Sequence, residues 1–97
     1  MSQTDSKSKE PRVLVKMLSP TQVHYSGYAV SVSAVNSVGP FDILAEHANF
    51  FSLLSTGDVV IDTGTQTFRF PTERGIMKVT NNTITLFVDI EPVSNTG

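Results

Sequence analysis

Apolar and polar residues alternate with a period of two along most of this chain, and no window carries the 3.6-residue period of a helix. Val13, Val15 and Met17 alternate with Leu14, Lys16 and Leu18, which predicts a first strand with one face buried and the other partly so. Pro20, in Ser19-Pro20-Thr21-Gln22, stops it. Val23-His24-Tyr25 follows as a short strand closed by Ser26-Gly27. Tyr28, Val30, Val32 and Ala34 then line one face of a strand whose other face carries Ser31 and Ser33. Asn36-Ser37-Val38-Gly39-Pro40 is expected as a loop.

Phe41 and Ile43 flank Asp42 in the next half-buried strand, Ala45-Glu46-His47-Ala48 turns the chain, and Asn49 to Leu54 is a second apolar run. Phe50 and Phe51 are adjacent, so on a strand they point to opposite faces. One can fill the core, and the other must lie under a loop, in a second core or on an exposed apolar patch. Thr56-Gly57-Asp58 leads into Val59-Val60-Ile61, and Asp62-Thr63-Gly64-Thr65 is a hairpin turn into Thr67 to Phe70. Pro71 to Gly75 reads as a break. Ile76 to Thr80 and Ile84 to Val88 are strands joined through Asn81-Asn82, a pair that tolerates left-handed backbone. Thr85 and Phe87 alternate with Ile84, Leu86 and Val88, so this last strand is expected to be covered on both faces. Many short strands at close spacing predict an all-β fold, a flattened sandwich or barrel of about eight to ten strands.

Composition narrows the function classes. With 97 residues the chain holds one domain, expected over residues 12–90, between a polar tail at 1–11 and a second tail at 91–97. A domain this small buries only about 60–65% of its unfolded surface, so a partner interface would add stability. A net charge of −2 with 16% charged residues argues against a nucleic-acid footprint. Cysteine is absent, which excludes a disulfide framework and a thiolate zinc site. His24 and His47 are the only histidines and neither has an acidic cluster beside it in sequence, so no metal is expected. No segment reads as a membrane-spanning helix or a secretory signal. The serines have no histidine and carboxylate constellation, and no Walker-type phosphate loop exists, so no cofactor and no catalysis are expected.

The stretch Gly39 to Leu54 resembles the Gly-x-Phe-Gly-Ile-Leu-Pro-Gly-His-Ala-x-Leu-Leu-x-x-Leu core of the ATP synthase epsilon subunit, in its N-terminal domain. Phe41, Ile43, Leu44, His47, Ala48 and Leu54 match that pattern, while Asp42 and Glu46 stand for glycines and Ala45 for a proline. If those glycines serve positive φ, Asp42 and Glu46 fit the backbone less well. Leu18-Ser19-Pro20 with Tyr25-x-Gly27, Thr56-Gly57-Asp58-Val59-Val60, and Gly75 to Val79 with Asn82 to Leu86 resemble further family segments, in order, from about Val13 to Asp89.

The resemblance implies a non-catalytic rotor subunit of the central stalk, which bridges gamma to the c-ring and couples proton flow to ATP synthesis. It implies a peripheral place on the cytoplasmic side of an energy-transducing membrane, held there only through the complex, and a domain that is soluble and monomeric when isolated. Ser19, His47 and Ser52 are the positions it puts at the gamma interface, and Asn36, Ser37 and Pro40 stand in the loop that faces the c-ring. The family's C-terminal helical hairpin, with its inhibitory role, is expected to be missing. From the residues alone, His47 reads as a corner histidine bonded to a nearby carbonyl. A free-standing β-sandwich adaptor outside the ATP synthase is the alternative that the departures at Asp42, Ala45 and Glu46 leave open.

Overall fold

The structure, a computed structural model, describes residues 11–90. Of the tails expected at 1–11 and 91–97, all but Pro11 lies outside the described residues. Eight strands follow one another: β1 Val13–Ser19, β2 Gln22–Ala29, β3 Ser31–Asn36, β4 Gly39–Leu44, β5 Phe50–Leu54, β6 Gly57–Asp62, β7 Thr67–Thr80 and β8 Thr83–Ile90. They form one sheet in the order β2-β1-β8-β7-β6-β3-β4, and β5 pairs with β7 off that path. All pairings are antiparallel except β1 with β8.

The sandwich arises because β7 serves both layers. Thr67 to Thr72 pair with β6, whereas Phe50 to Leu54 of β5 take up the later stretch, Gly75 to Val79, on the same edge. The other edge of β7 pairs with β8 from Thr72 onward, with a register irregularity between Thr72 and Arg74. Layer one is therefore β2-β1-β8 with the second half of β7 and β5. Layer two is the first half of β7 with β6, β3 and β4. Tyr25 against Phe68, with ring centroids 5.5 Å apart, and Phe41 against Phe50, at 5.7 Å, close the space between the layers.

The alternating faces meet in that space. Val13, Val15 and Met17 of β1, Val59 and Ile61 of β6, Met77 and Val79 of β7, and Ile84, Leu86 and Val88 of β8 are all buried. Their transfer out of water is the main term that stabilises the sandwich.

Five expectations need correction, the first being that Ser26-Gly27 closes a short strand: β2 runs through both to Ala29, paired with Lys16 and Val15. The single strand expected from Tyr28 to Ala34 is broken by a bend at Val30, whose N–H donates to the Asp62 carbonyl at 2.8 Å. Ala29 is buried at the end of β2 and Val32 and Ala34 are buried on β3, while Tyr28 is exposed, so those four residues do not share one face. Pro71 does not break its strand. Among the described residues β7 up to Pro71 has a partner on one edge only, β6, which is where a strand tolerates the missing N–H. Pro40 leaves the expected loop for the same reason: it pairs with Val35 in β4, the last strand of the sheet order. Phe87 is exposed rather than covered: among the described residues the outer face of β8 has no covering element.

Candidate functional site

Two left-handed turns shape one end of the molecule. Asn81 and Asn82, at φ 50° and 58°, close the hairpin between β7 and β8. Glu46, at φ 63°, turns the corner between β4 and β5. Its N–H donates to Asn82 Oδ1 at 2.7 Å, and Asn82 Nδ2 donates to the Arg12 carbonyl at 2.8 Å. One amide thus ties the corner, the hairpin and the entry to β1 together. The backbone concern raised by the sequence applies at Glu46 and not at Asp42. The latter lies in ordinary strand and accepts the Ser33 hydroxyl at 2.6 Å.

The corner places His47 in the open, with its ring edge-on to Phe50 at 5.6 Å. The Nδ1–H donates to the Ala48 carbonyl at 2.7 Å, which is the local carbonyl contact the sequence reading expects of a corner histidine. Ser52 is half-buried on the inner side of β5, where its hydroxyl donates to the Leu53 carbonyl at 3.0 Å and accepts Asn36 Nδ2 at 3.2 Å. Asn36 also caps its own turn, its Oδ1 accepting the N–H groups of Val38 at 2.9 Å and Gly39 at 3.2 Å. Ser37 is exposed at that turn. A hollow of about 300 Å³ is lined by Asn36, Pro40, Phe41, His47 and Phe50. Asn36, Pro40, His47 and Ser52 therefore gather at one end.

Ser19 does not join them. Strand β1 runs beside β8 with Leu18 level with Phe87, and β5 runs beside β7 with Phe50 level with Val79 and hence with Ile84. Ser19 thus sits at the far end of the sheet. There it lines an open groove of about 540 Å³ together with Leu18, Pro20, Val23, Phe87 and Asp89.

That groove is the end of a larger feature the sequence reading did not find. Leu53, Ile76, Phe87, Leu18 and Val23 stand in register across β5, β7, β8, β1 and β2 on the outer face of layer one. Leu53 is 65% exposed, Val23 60%, Phe87 50% and Ile76 38%. Phe51, 62% exposed, stands in the neighbouring row. So the open question about Phe50 and Phe51 resolves into a half-buried inner ring and an exposed outer one. A contiguous apolar row on a small domain marks an interaction site.

Arg69 and Asp58, at 3.1 Å, and Arg74 and Asp89, at 3.3 Å, are exposed ion pairs. Pairs of that kind stabilise by about 0–1 kcal/mol. Burial pushes the Tyr25 hydroxyl above its ordinary range, and it donates to the Tyr28 carbonyl at 3.0 Å. Among the described residues no three His, Asp or Glu side chains converge as a metal site would require.

A β-sandwich with a pinned corner at one end and an apolar outer row fits a docking module, and the comparisons with known proteins give it a family. The chain belongs to the family described as ATP synthase, Delta/Epsilon chain, beta-sandwich domain, whose model matches residues 12–90. It is 31% identical over 75 residues to an ATP synthase epsilon chain of Leptospira borgpetersenii serovar Hardjo-bovis (strain JB197), covering 77% of this chain and 59% of that one. It is 35% identical over 51 residues to the ATP synthase epsilon chain of Sulfurimonas denitrificans, covering 53% and 39%. The chain thus spans less than two thirds of the length of these relatives. A chain in the cryo-EM structure of the Euglena gracilis mitochondrial ATP synthase, OSCP/F1/c-ring, superposes with a TM-score of 0.77 at 10% identity, covering 89% of this chain and 56% of that one. A chain in the Tetrahymena thermophila mitochondrial ATP synthase central stalk/c-ring structure gives 0.69 at 15% identity, covering 87% and 72%. At those identities the structural likeness shows the fold.

Proposed function

We propose that this domain is a non-catalytic rotor subunit of the central stalk of a proton-translocating ATP synthase. It bridges gamma and the c-ring and helps to couple proton flow to ATP synthesis. It is peripheral, on the cytoplasmic side of the membrane, and reaches the membrane only through the complex. The observation that carries the docking role is the exposed apolar row from Leu53 to Val23, on a chain of the delta/epsilon family. A rigid sandwich with such a face transmits force by being held, and needs no substrate. In this reading gamma covers the outer face of layer one, bordered by Ser19 at one end and by the His47 corner near the other, with Ser52 behind that face on the inner side of β5. The Asn36-Ser37 turn and Pro40 face the c-ring.

Purification of the tagged chain from native membranes under mild detergent tests the reading. Gamma and the c-ring are expected to travel with it. A folded chain that comes away with neither subunit contradicts the rotor role and leaves the adaptor role.

A further inference from the structure

The outer face of layer one carries charge on one flank of its apolar row. Lys78 of β7 and Lys16 of β1 both lie in register with Thr85 of β8, in the row next to Phe87. Both lysines are exposed, and neither forms an ion pair among the described residues. The opposite flank is closed by the Arg74–Asp89 pair, whose charges cancel. The face is therefore an apolar stripe with a positive edge.

We propose that this face takes an amphipathic helix of its partner, laid across the strands, with two carboxylates seven residues apart against Lys16 and Lys78. The proposal rests on the gamma-docking reading and names the kind of segment that docks. A partner on a sheet face finds no free backbone groups to pair with, so its own N–H and C=O groups must be satisfied internally, which a helix does. The lengths agree. Five strands at a spacing of about 4.8 Å span about 19 Å, which is about 13 residues of helix at a rise of 1.5 Å. Two strand spacings separate Lys78 from Lys16, about 9.6 Å, and seven helical residues cover about 10.5 Å. The groove between Leu18, Pro20, Val23 and Phe87 has room for a large apolar side chain at one end of that helix. Lysine on one edge selects acid on the matching flank and disfavours a helix with lysine there.

Two synthetic helical peptides test this. Both carry the same leucine stripe, and they differ only at two flank positions seven residues apart, glutamate in one and lysine in the other. Binding to the whole 97-residue chain is followed by fluorescence anisotropy. The glutamate peptide is expected to bind about tenfold more tightly at low salt, with the gap shrinking as salt rises. The Lys16→Glu, Lys78→Glu double variant is expected to reverse the preference. Equal binding of the two peptides, no binding of either, or an unchanged preference in the variant overturns the proposal. A free chain that sediments as a dimer, and becomes monomeric with Phe87→Ser, also overturns it, since a second copy then occupies the face. Titration with the cognate gamma subunit separates the two levels. Equal gamma affinity for wild type and double variant overturns this proposal alone. Failure of gamma to bind wild type, with the peptides still discriminated, overturns the assignment to gamma alone.

Discussion

Asn82 Oδ1 accepts the N–H of Glu46 at 2.7 Å, across 36 positions of sequence. The bond joins two left-handed turns, one asparagine-built and one built on a glutamate that has no intrinsic taste for that conformation. Substituting Asn82 by glycine keeps a residue suited to φ 58° and removes only the side-chain bonds, to Glu46 and to the Arg12 carbonyl. We expect Asn82→Gly to cost about 1–3 kcal/mol, since two polar partners lose their bond. Urea denaturation reads it directly. A midpoint unchanged from wild type would show that the amide is no pin.

Glu46 offers the opposite experiment. A side chain held at φ 63° is strained by about 1–2 kcal/mol, and glycine is not. Against that stands glycine's larger loss of freedom on folding. Glu46→Gly is expected to stabilise the domain by roughly 1 kcal/mol, visible as a higher thermal midpoint. A lower midpoint would mean that the Glu46 side chain contributes more than its backbone costs.

Leu86 tests the phase of the core. It is fully buried on β8 between Ile84 and Val88. Leu86→Ala is expected to cost about 2–5 kcal/mol in chemical denaturation. A loss under about 1 kcal/mol would contradict the burial assigned to this face.

His47 tests the corner as a surface. Its side chain is exposed, bonds to the Ala48 carbonyl and lies edge-on to Phe50, so His47→Asp should leave the circular dichroism spectrum unchanged. It sets a second acid beside Glu46 and is expected to weaken binding to gamma in a calorimetric titration. Equal affinities for the two proteins would take His47 out of the interface.

The sequence reading was strongest where one strand's own alternation decides the outcome. Val13, Val15 and Met17, and Ile84, Leu86 and Val88, lie inside as their period requires. It failed where partners decide. Pro71 sits in a continuous strand because, among the described residues, that stretch of β7 pairs on one edge only, with β6, which its own sequence does not show. Tyr28 and Val32 match in period but lie on different strands, separated by the bend at Val30. The site divides along the same line. His47 and the Asn36 turn stood out through the family resemblance and local chemistry. The row Leu53-Ile76-Phe87-Leu18-Val23 could not, because its five members come from five strands and meet only through register. Asn82 reads as a turn residue in sequence, and only the folded chain brings Glu46 to it.

The claim at the centre is that the outer apolar row holds this domain to gamma. Isothermal titration of the cognate gamma subunit with wild type and with Phe87→Ser tests it most directly. Phe87 is half exposed in the middle of the row, so its loss should leave the fold intact. The account predicts saturable binding of wild type and, for the variant, a loss of at least about 2 kcal/mol in binding free energy, the size of a central hot spot. Equal binding of both proteins, or none by a folded wild type, would contradict it.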